Sequence, residues 1–206
     1  MDSTLATNIA MTSISKYRAK QVASELSPAI QIVHELCPSV VLEIGSAEGG
    51  TIYAWSQCIP EHAMIISIDP AINPDTGAFW TSFMIEGQKL FTIQGRSEHS
   101  FDAILNIIGD RRIDFLFIDG SHFYDAVRND FDMYSGLVAE TGIIAIHDVG
   151  HRRPDMQVWK LWDDVKVNRR HTELIDPIAP CGIGILYGRE CIVGLGDNID
   201  SISNTG

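Results

Sequence analysis

Residues 40–51 read Val40-Val41-Leu42-Glu43-Ile44-Gly45-Ser46-Ala47-Glu48-Gly49-Gly50-Thr51. Core-type residues carry one carboxylate near their end and run straight into a glycine-rich turn. β-Branched residues favour a strand, and glycines permit the sharp reversal that passes a strand on to a helix. A plain turn has no use for the glutamate. A ligand-binding loop does.

Outward from this stretch the same pattern repeats. MIISIDP (64–70), LFTIQG (90–95), IDFLFIDG (113–120) and GIIAIHDV (142–149) read as strands, and TELIDPI (172–178) and GIGILYG (182–188) close the series. Helical patterns lie between them at 51–58, 80–86, 100–108, 124–138 and 159–167. Strands apolar on both faces that alternate with helices make a parallel sheet covered on both sides. Ahead of the first strand, 13–26 is expected as a helix and Ser27-Pro28 as the N-cap and first residue of a second one. Residues 1–12, polar and small, are expected as a flexible arm, 13–195 as a single domain, and 196–206 as a flexible tail. The fold class is therefore α/β, a doubly wound, mostly parallel sheet with N-terminal helices.

The chain has 206 residues, 45% hydrophobic and 20% charged, enough apolar material for one substantial core. A net charge of −12 argues against nucleic acid as the main partner, because phosphate binding needs a basic field. The four cysteines form no CxxC and no zinc-type spacing with histidine. With no signal peptide and no long apolar run, a cytoplasmic protein without membrane contact is expected. A homo-oligomer stays open.

In doubly wound sheets ligands bind beyond the carboxyl ends of the strands. There the sequence gathers Glu43 and Gly45 after the first strand, Asp69 after the second, and Gly95-Arg96-Ser97-Glu98 after the third. Asp119, Gly120, Ser121 and His122 follow the fourth, and His147, Asp148 and then His151 the fifth. Each has a bland alternative as a turn or cap residue, but together they outline the rim of a cleft. The loop is GSAEGG, not G-x-G-x-x-G, so the dinucleotide fingerprint fails at the glycine that admits a pyrophosphate. Asp69 suits the hydroxyls of a ribose, and Glu43 suits an α-ammonium group. Ribose and ammonium without pyrophosphate describe S-adenosylmethionine.

Residues 21–188 resemble the class I S-adenosylmethionine-dependent methyltransferases, above all the small-molecule O-methyltransferase group of cephalosporin hydroxylase-like and sugar O-methyltransferase-like enzymes. The resemblance is carried by Val41–Ser46 with Gly49-Gly50-Thr51, by Ile66-Ser67-Ile68-Asp69, and by Phe117-Ile118-Asp119-Gly120-Ser121-His122 with Tyr124. Ile146-His147-Asp148-Val149 and Trp159–Trp162 add to it. It implies a seven-stranded Rossmann-like sheet with an antiparallel last strand. It also implies a cofactor site in which Glu43, Gly45, Ser46, Gly49 and Thr51 lie near the methionine part, Asp69 holds the ribose, Ser97 lies near the adenine, and Asp119 stands between cofactor and acceptor. Some relatives bind Mg²⁺ after the fourth and fifth strands. The matching positions here are Asp119, His147 and Asp148, and the histidine departs from an all-oxygen set. His122 is the favoured general base, with Asp119 and His151 as further catalytic candidates. The expected reaction is methyl transfer to a hydroxyl of a sugar or natural product. The alternatives are an NAD or nucleotide-sugar enzyme and a non-catalytic cofactor-binding module.

Overall fold

The computed structural model describes residues 1–191. The chain runs α1 (Ser3–Tyr17), α2 (Ala23–Leu36), β1 (Val40–Ile44), α3 (Gly50–Ser56), β2 (Met64–Asp69), α4 (Pro74–Thr81) and β3 (Lys89–Gln94). It continues α5 (Phe101–Ile108), β4 (Ile113–Ile118), α6 (Tyr124–Tyr134), β5 (Val138–His147), α7 (Val158–Val165), β6 (His171–Leu174) and β7 (Ile183–Tyr187). The strands form one seven-stranded sheet in the order β3-β2-β1-β4-β5-β7-β6. β1 to β5 are parallel, and β7 runs antiparallel to both neighbours. The seven strands and the reversed last one are as the sequence led us to expect.

Strand periodicity builds two cores, one on each face. Val41, Phe115 and Ile143 stand side by side in register and face α1, α2 and α3. Their neighbours Leu42, Leu116 and Ile144 face α5, α6 and α7. All five residues of β1 are buried, as is every residue of β2, because helices cover both faces of the sheet centre. The order of the strands reverses at β1 and β4, so their carboxyl ends diverge into opposite connections and open a crevice.

The front of the chain corrects two expectations. Residues 1–12 are not an arm: they belong mostly to α1, which Asp2 caps by accepting the Leu5 N–H at 2.8 Å. Ala6, Ile9, Ala10 and Ser13 form its buried stripe, and Ser13 Oγ donates to the Gly50 carbonyl at 2.6 Å. Small side chains let the helix lie close to its neighbours but give a weak apolar signal. The second correction concerns the helix break. It falls at Arg18, in the left-handed region with φ 62°, so α2 starts at Ala23 and Pro28 lies within it. The helix expected at 80–86 lies earlier: Asn73 caps and Pro74 starts α4, with the Asn73 side chain accepting the Thr76 N–H at 3.0 Å. The expected tail, 196–206, lies outside the described residues.

Removing residues 1–17 therefore tests the packing of α1. Burial of Ala6, Ile9 and Ala10 predicts a fall in the thermal midpoint of at least ~5 °C. A midpoint equal to that of the full chain would restore the flexible arm.

Candidate active site

The turn after β1 is shaped by close approach. Gly45 has φ 88°, and a Cβ there would stand 2.2 Å from the Asp119 carbonyl oxygen. Only glycine lets this turn lie against the end of β4, where the Gly45 N–H donates to Ile68 O at 2.9 Å and the Asp119 N–H donates to Ile44 O at 2.8 Å. One carboxylate then holds the rest of the turn. Asp69 Oδ2 accepts the backbone N–H groups of Ser46 (3.0 Å) and Ala47 (2.9 Å), and its Oδ1 accepts that of Ala71 (2.7 Å). This keeps Ala47 at φ 44°, a region that L-residues other than Asn and Asp seldom adopt.

Beyond the strand ends lies a cavity of about 1220 Å³. Of the residues singled out from sequence, Gly45, Ser46, Thr51, Asp69, Ser97, Asp119, His122, His147, Asp148 and His151 all line it. Glu43 and Gly49 do not, and both are corrections. Glu43 is wholly buried, its Oε1 accepting from Thr51 Oγ1 at 2.6 Å and its Oε2 from Trp55 Nε1 at 2.7 Å. It faces the same side of the sheet as Val41 and ties β1 to α3, with no oxygen turned to an ammonium group. Gly49 begins α3 at φ 84°, and a Cβ there would meet the Trp80 indole at 2.1 Å. It makes room for that ring.

Elsewhere along the cavity, acids and imidazoles interlock. Asp148 is buried in the left-handed region, φ 62°, which aims its carboxylate among three histidines. His122 Nε2 lies 3.1 Å from its Oδ2, His147 Nδ1 3.5 Å from the same oxygen, and His151 Nε2 3.8 Å from Oδ1. Asp119 Oδ1 takes the nearer contact with His147 Nδ1, 2.9 Å, and its Oδ2 accepts from Gln21 Nε2 at 2.6 Å. For His147, burial works to lower the pKa, but Asp119 and Asp148 together hold it well above the ordinary imidazole value. For Asp148, burial works upward and the histidines outweigh it, so its pKa falls below the usual carboxylate value. Asp119, His147 and Asp148 therefore come together as the sequence suggested.

Gln21, Cys181 and Asp130 are among the lining residues that escaped the sequence reading. Gln21 reaches Asp119 from the link between α1 and α2, and no local pattern marks it. Cys181 enters from the turn before β7. Asp130 sits on α6 in the buried stripe Val127-Asp130-Phe131-Tyr134, where an acid among apolar positions was a readable signal. Ser97 Oγ donates to Asp130, and burial lifts that carboxyl to about 6.

Burial likewise lifts Glu43 to about 8, above its ordinary 4.5. A folded-state pKa above the unfolded one means that rising pH removes the proton from the unfolded chain first. The carboxyl's contribution is then full below about 4.5 and is lost as pH rises through about 8. Urea midpoints measured from pH 5 to 9 should show Glu43→Gln losing about 2–4 kcal/mol less than the parent chain over that range. Parallel pH profiles for the two proteins would show that Glu43 is ionised throughout.

A methyltransferase-domain family model matches residues 42–149, the stretch from β1 to just past β5. An uncharacterized protein of Sinorhizobium fredii is 24% identical over 183 residues, covering 84% of this chain and 20% of its own length. An uncharacterized protein of Acanthamoeba polyphaga mimivirus is 32% identical over 124 residues, covering 57% of this chain and 54% of its own. The chain thus spans about a fifth and about half of these relatives. Among solved structures, the Streptomyces achromogenes O-methyltransferase TomG, in complex with S-adenosylmethionine, superposes with a TM-score of 0.61 at 13% identity over 89% of both chains. The Bacillus cereus O-methyltransferase, in complex with S-adenosylhomocysteine, gives 0.60 at 13% over 91% of both. The mycinamycin-pathway methyltransferase MycE, in complex with Mg, S-adenosylhomocysteine and mycinamycin VI, gives 0.62 at 17%, covering 89% of this chain and 53% of its own. These likenesses establish the shared fold, and the match from β1 through β5 establishes the lineage: the chain belongs to the methyltransferase-domain family.

Proposed function

We propose that the protein transfers the methyl group of S-adenosylmethionine to a hydroxyl of a small molecule, a sugar or natural product. The observation that carries this reading is one cavity lined by two unlike groups of residues, the carboxylate-clamped Gly45–Ala47 turn and the pair His122–Asp148. The complexes of TomG and the Bacillus cereus enzyme with S-adenosylmethionine and S-adenosylhomocysteine support it. In this reading Gly45, Ser46 and Thr51 face the methionine part. Asp69 accepts a ribose hydroxyl with the acceptor capacity that its three backbone bonds leave. Ser97 and Asp130 border the adenine. Bound there, S-adenosylmethionine supplies an electrophilic methyl on a sulfonium. No helix among the described residues is long and apolar enough to cross a membrane.

The proton of the acceptor hydroxyl needs a base. His147 is buried and commits Nδ1 to Asp119, so it is poorly placed to take it. His122 is half-exposed on the cavity, and Asp148 orients its ring and stabilises the imidazolium that forms, the role a carboxylate plays behind a catalytic histidine. His151, farther from Asp148, is the second candidate.

The Asp119-His147-Asp148 set does not suit Mg²⁺ as arranged. That ion requires oxygen ligands in near-octahedral geometry. Here Gln21 and His147 occupy both oxygens of Asp119, and His122 contacts Asp148. We therefore assign acceptor deprotonation to the histidine.

Two measurements test this. Calorimetry should show S-adenosylhomocysteine binding and NADH not binding; the reverse would favour the dehydrogenase class. With an acceptor in hand, His122→Ala should lower turnover by about 10²–10⁴-fold near neutral pH and recover partly at high pH, where the acceptor ionises unaided. Added Mg²⁺ should leave the rate unchanged. An unaffected His122→Ala variant would move the base to His151, and a rate restored only by Mg²⁺ would reinstate the metal.

A further inference from the structure

At the cavity wall, two buried side chains of one cluster each keep a polar atom without a partner. Glu25, on α2, is fully buried, and its Oε1 accepts the N–H groups of Asp176 (2.8 Å) and Gly182 (2.9 Å). Its Oε2 has no hydrogen-bond partner. His147, 4% exposed at the end of β5, commits Nδ1 to Asp119, and its Nε2 is also without a partner. Cys181 completes the group: one ligand atom each from Glu25, His147 and Cys181 lie within 4.8 Å of one another. A buried polar atom without a partner is costly, so two in one cluster call for a guest.

The guest's chemistry is set by the donors. A water molecule would serve the carboxylate and the imidazole but gains little from a thiol. A hard cation such as Mg²⁺ avoids sulfur and nitrogen. Carboxylate, imidazole and thiolate together are a zinc set. The far side of the imidazole agrees, because a metal-bound histidine characteristically gives its other ring N–H to a carboxylate, as Nδ1 gives to Asp119. We propose that Glu25, His147 and Cys181 bind a borderline-soft divalent cation, Zn²⁺, on the wall between α2 and the cavity.

Tetrahedral zinc sets ligand atoms ~3.3–3.7 Å apart, so the three close by about an ångström on loading. Cys181, half-buried in the turn before β7, is the member with room to move. Three ligands leave a fourth position, and Cys181 also groups with Asp148 and His151 within 4.8 Å, so either can fill it from the cavity side. In the loaded site Asp119 orients the ligand histidine. The site is independent of which acceptor the cavity takes.

The test uses the full chain, stripped of metal and titrated with Zn²⁺ against a chromophoric chelator, with Co²⁺ as a spectroscopic probe. One equivalent of Zn²⁺ should bind, and Co²⁺ should show a thiolate charge-transfer band. Cys181→Ser should lose the band and about a hundredfold or more in zinc affinity, and Cys37→Ser should lose neither. Glu25→Gln keeps an acceptor for the two backbone N–H groups and should also weaken zinc. Calorimetry with S-adenosylhomocysteine on Cys181→Ser should match the parent chain, which separates this site from the cofactor reading. Absence of zinc uptake at micromolar concentrations, or uptake that survives Cys181→Ser, overturns the proposal and leaves an ordered water as the guest.

Discussion

The site depends on the carboxylate of Asp69. Parallel strands end with backbone groups that their neighbours no longer pair, and the turn after β1 must carry its N–H groups somewhere. Asp69 takes two of them, from Ser46 and Ala47, and a third from Ala71 on its own strand's continuation. Hydrogen bonds to an ionised acceptor are the stronger kind. They fix the turn in a conformation that Ala47 does not favour alone, and Gly45 admits it against β4. The floor of the cavity is thus set by one side chain from β2 and one missing side chain in the β1 turn.

Glu43 supports the same turn from below. Its bonds to Thr51 and Trp55 anchor the start of α3 to the middle of the sheet. Burial makes that anchor sensitive to pH, whereas Asp69 keeps an edge on the cavity. Elsewhere along the cavity, Asp148 and Asp119 gather imidazoles instead of backbone donors. Asp119 and Asp148 raise the pKa of His147, while the more accessible His122 and His151 line the cavity.

Much of this was legible. β1, β2, β4 and β5 announced themselves as apolar runs, and a doubly wound sheet requires its polar strand ends to share one edge. Hence Asp69, Asp119, His122, His147 and Asp148 were collected before any geometry was known. The first turns of α1 were missed because Ala6, Ala10 and Ser13 make up most of its buried stripe. Gln21 was missed because its partner Asp119 lies far along the chain. Glu43 was noticed but given the wrong direction. Strand parity sets it on the side of Val41, over Trp55, away from the cavity, and that argument was available in the sequence. The meeting of Glu25, His147 and Cys181 was not, since three separate elements supply it.

The most direct measurement is the affinity of Asp69→Asn for S-adenosylhomocysteine, by calorimetry, with circular dichroism to confirm the fold. Asparagine keeps the shape but replaces one accepting oxygen by a donor that faces N–H groups. A turn built on that carboxylate predicts at least a tenfold loss of affinity, about 1.4 kcal/mol or more, in a folded protein. Parent-like affinity in a folded Asp69→Asn chain would contradict the account, because the turn would then hold its shape without the clamp.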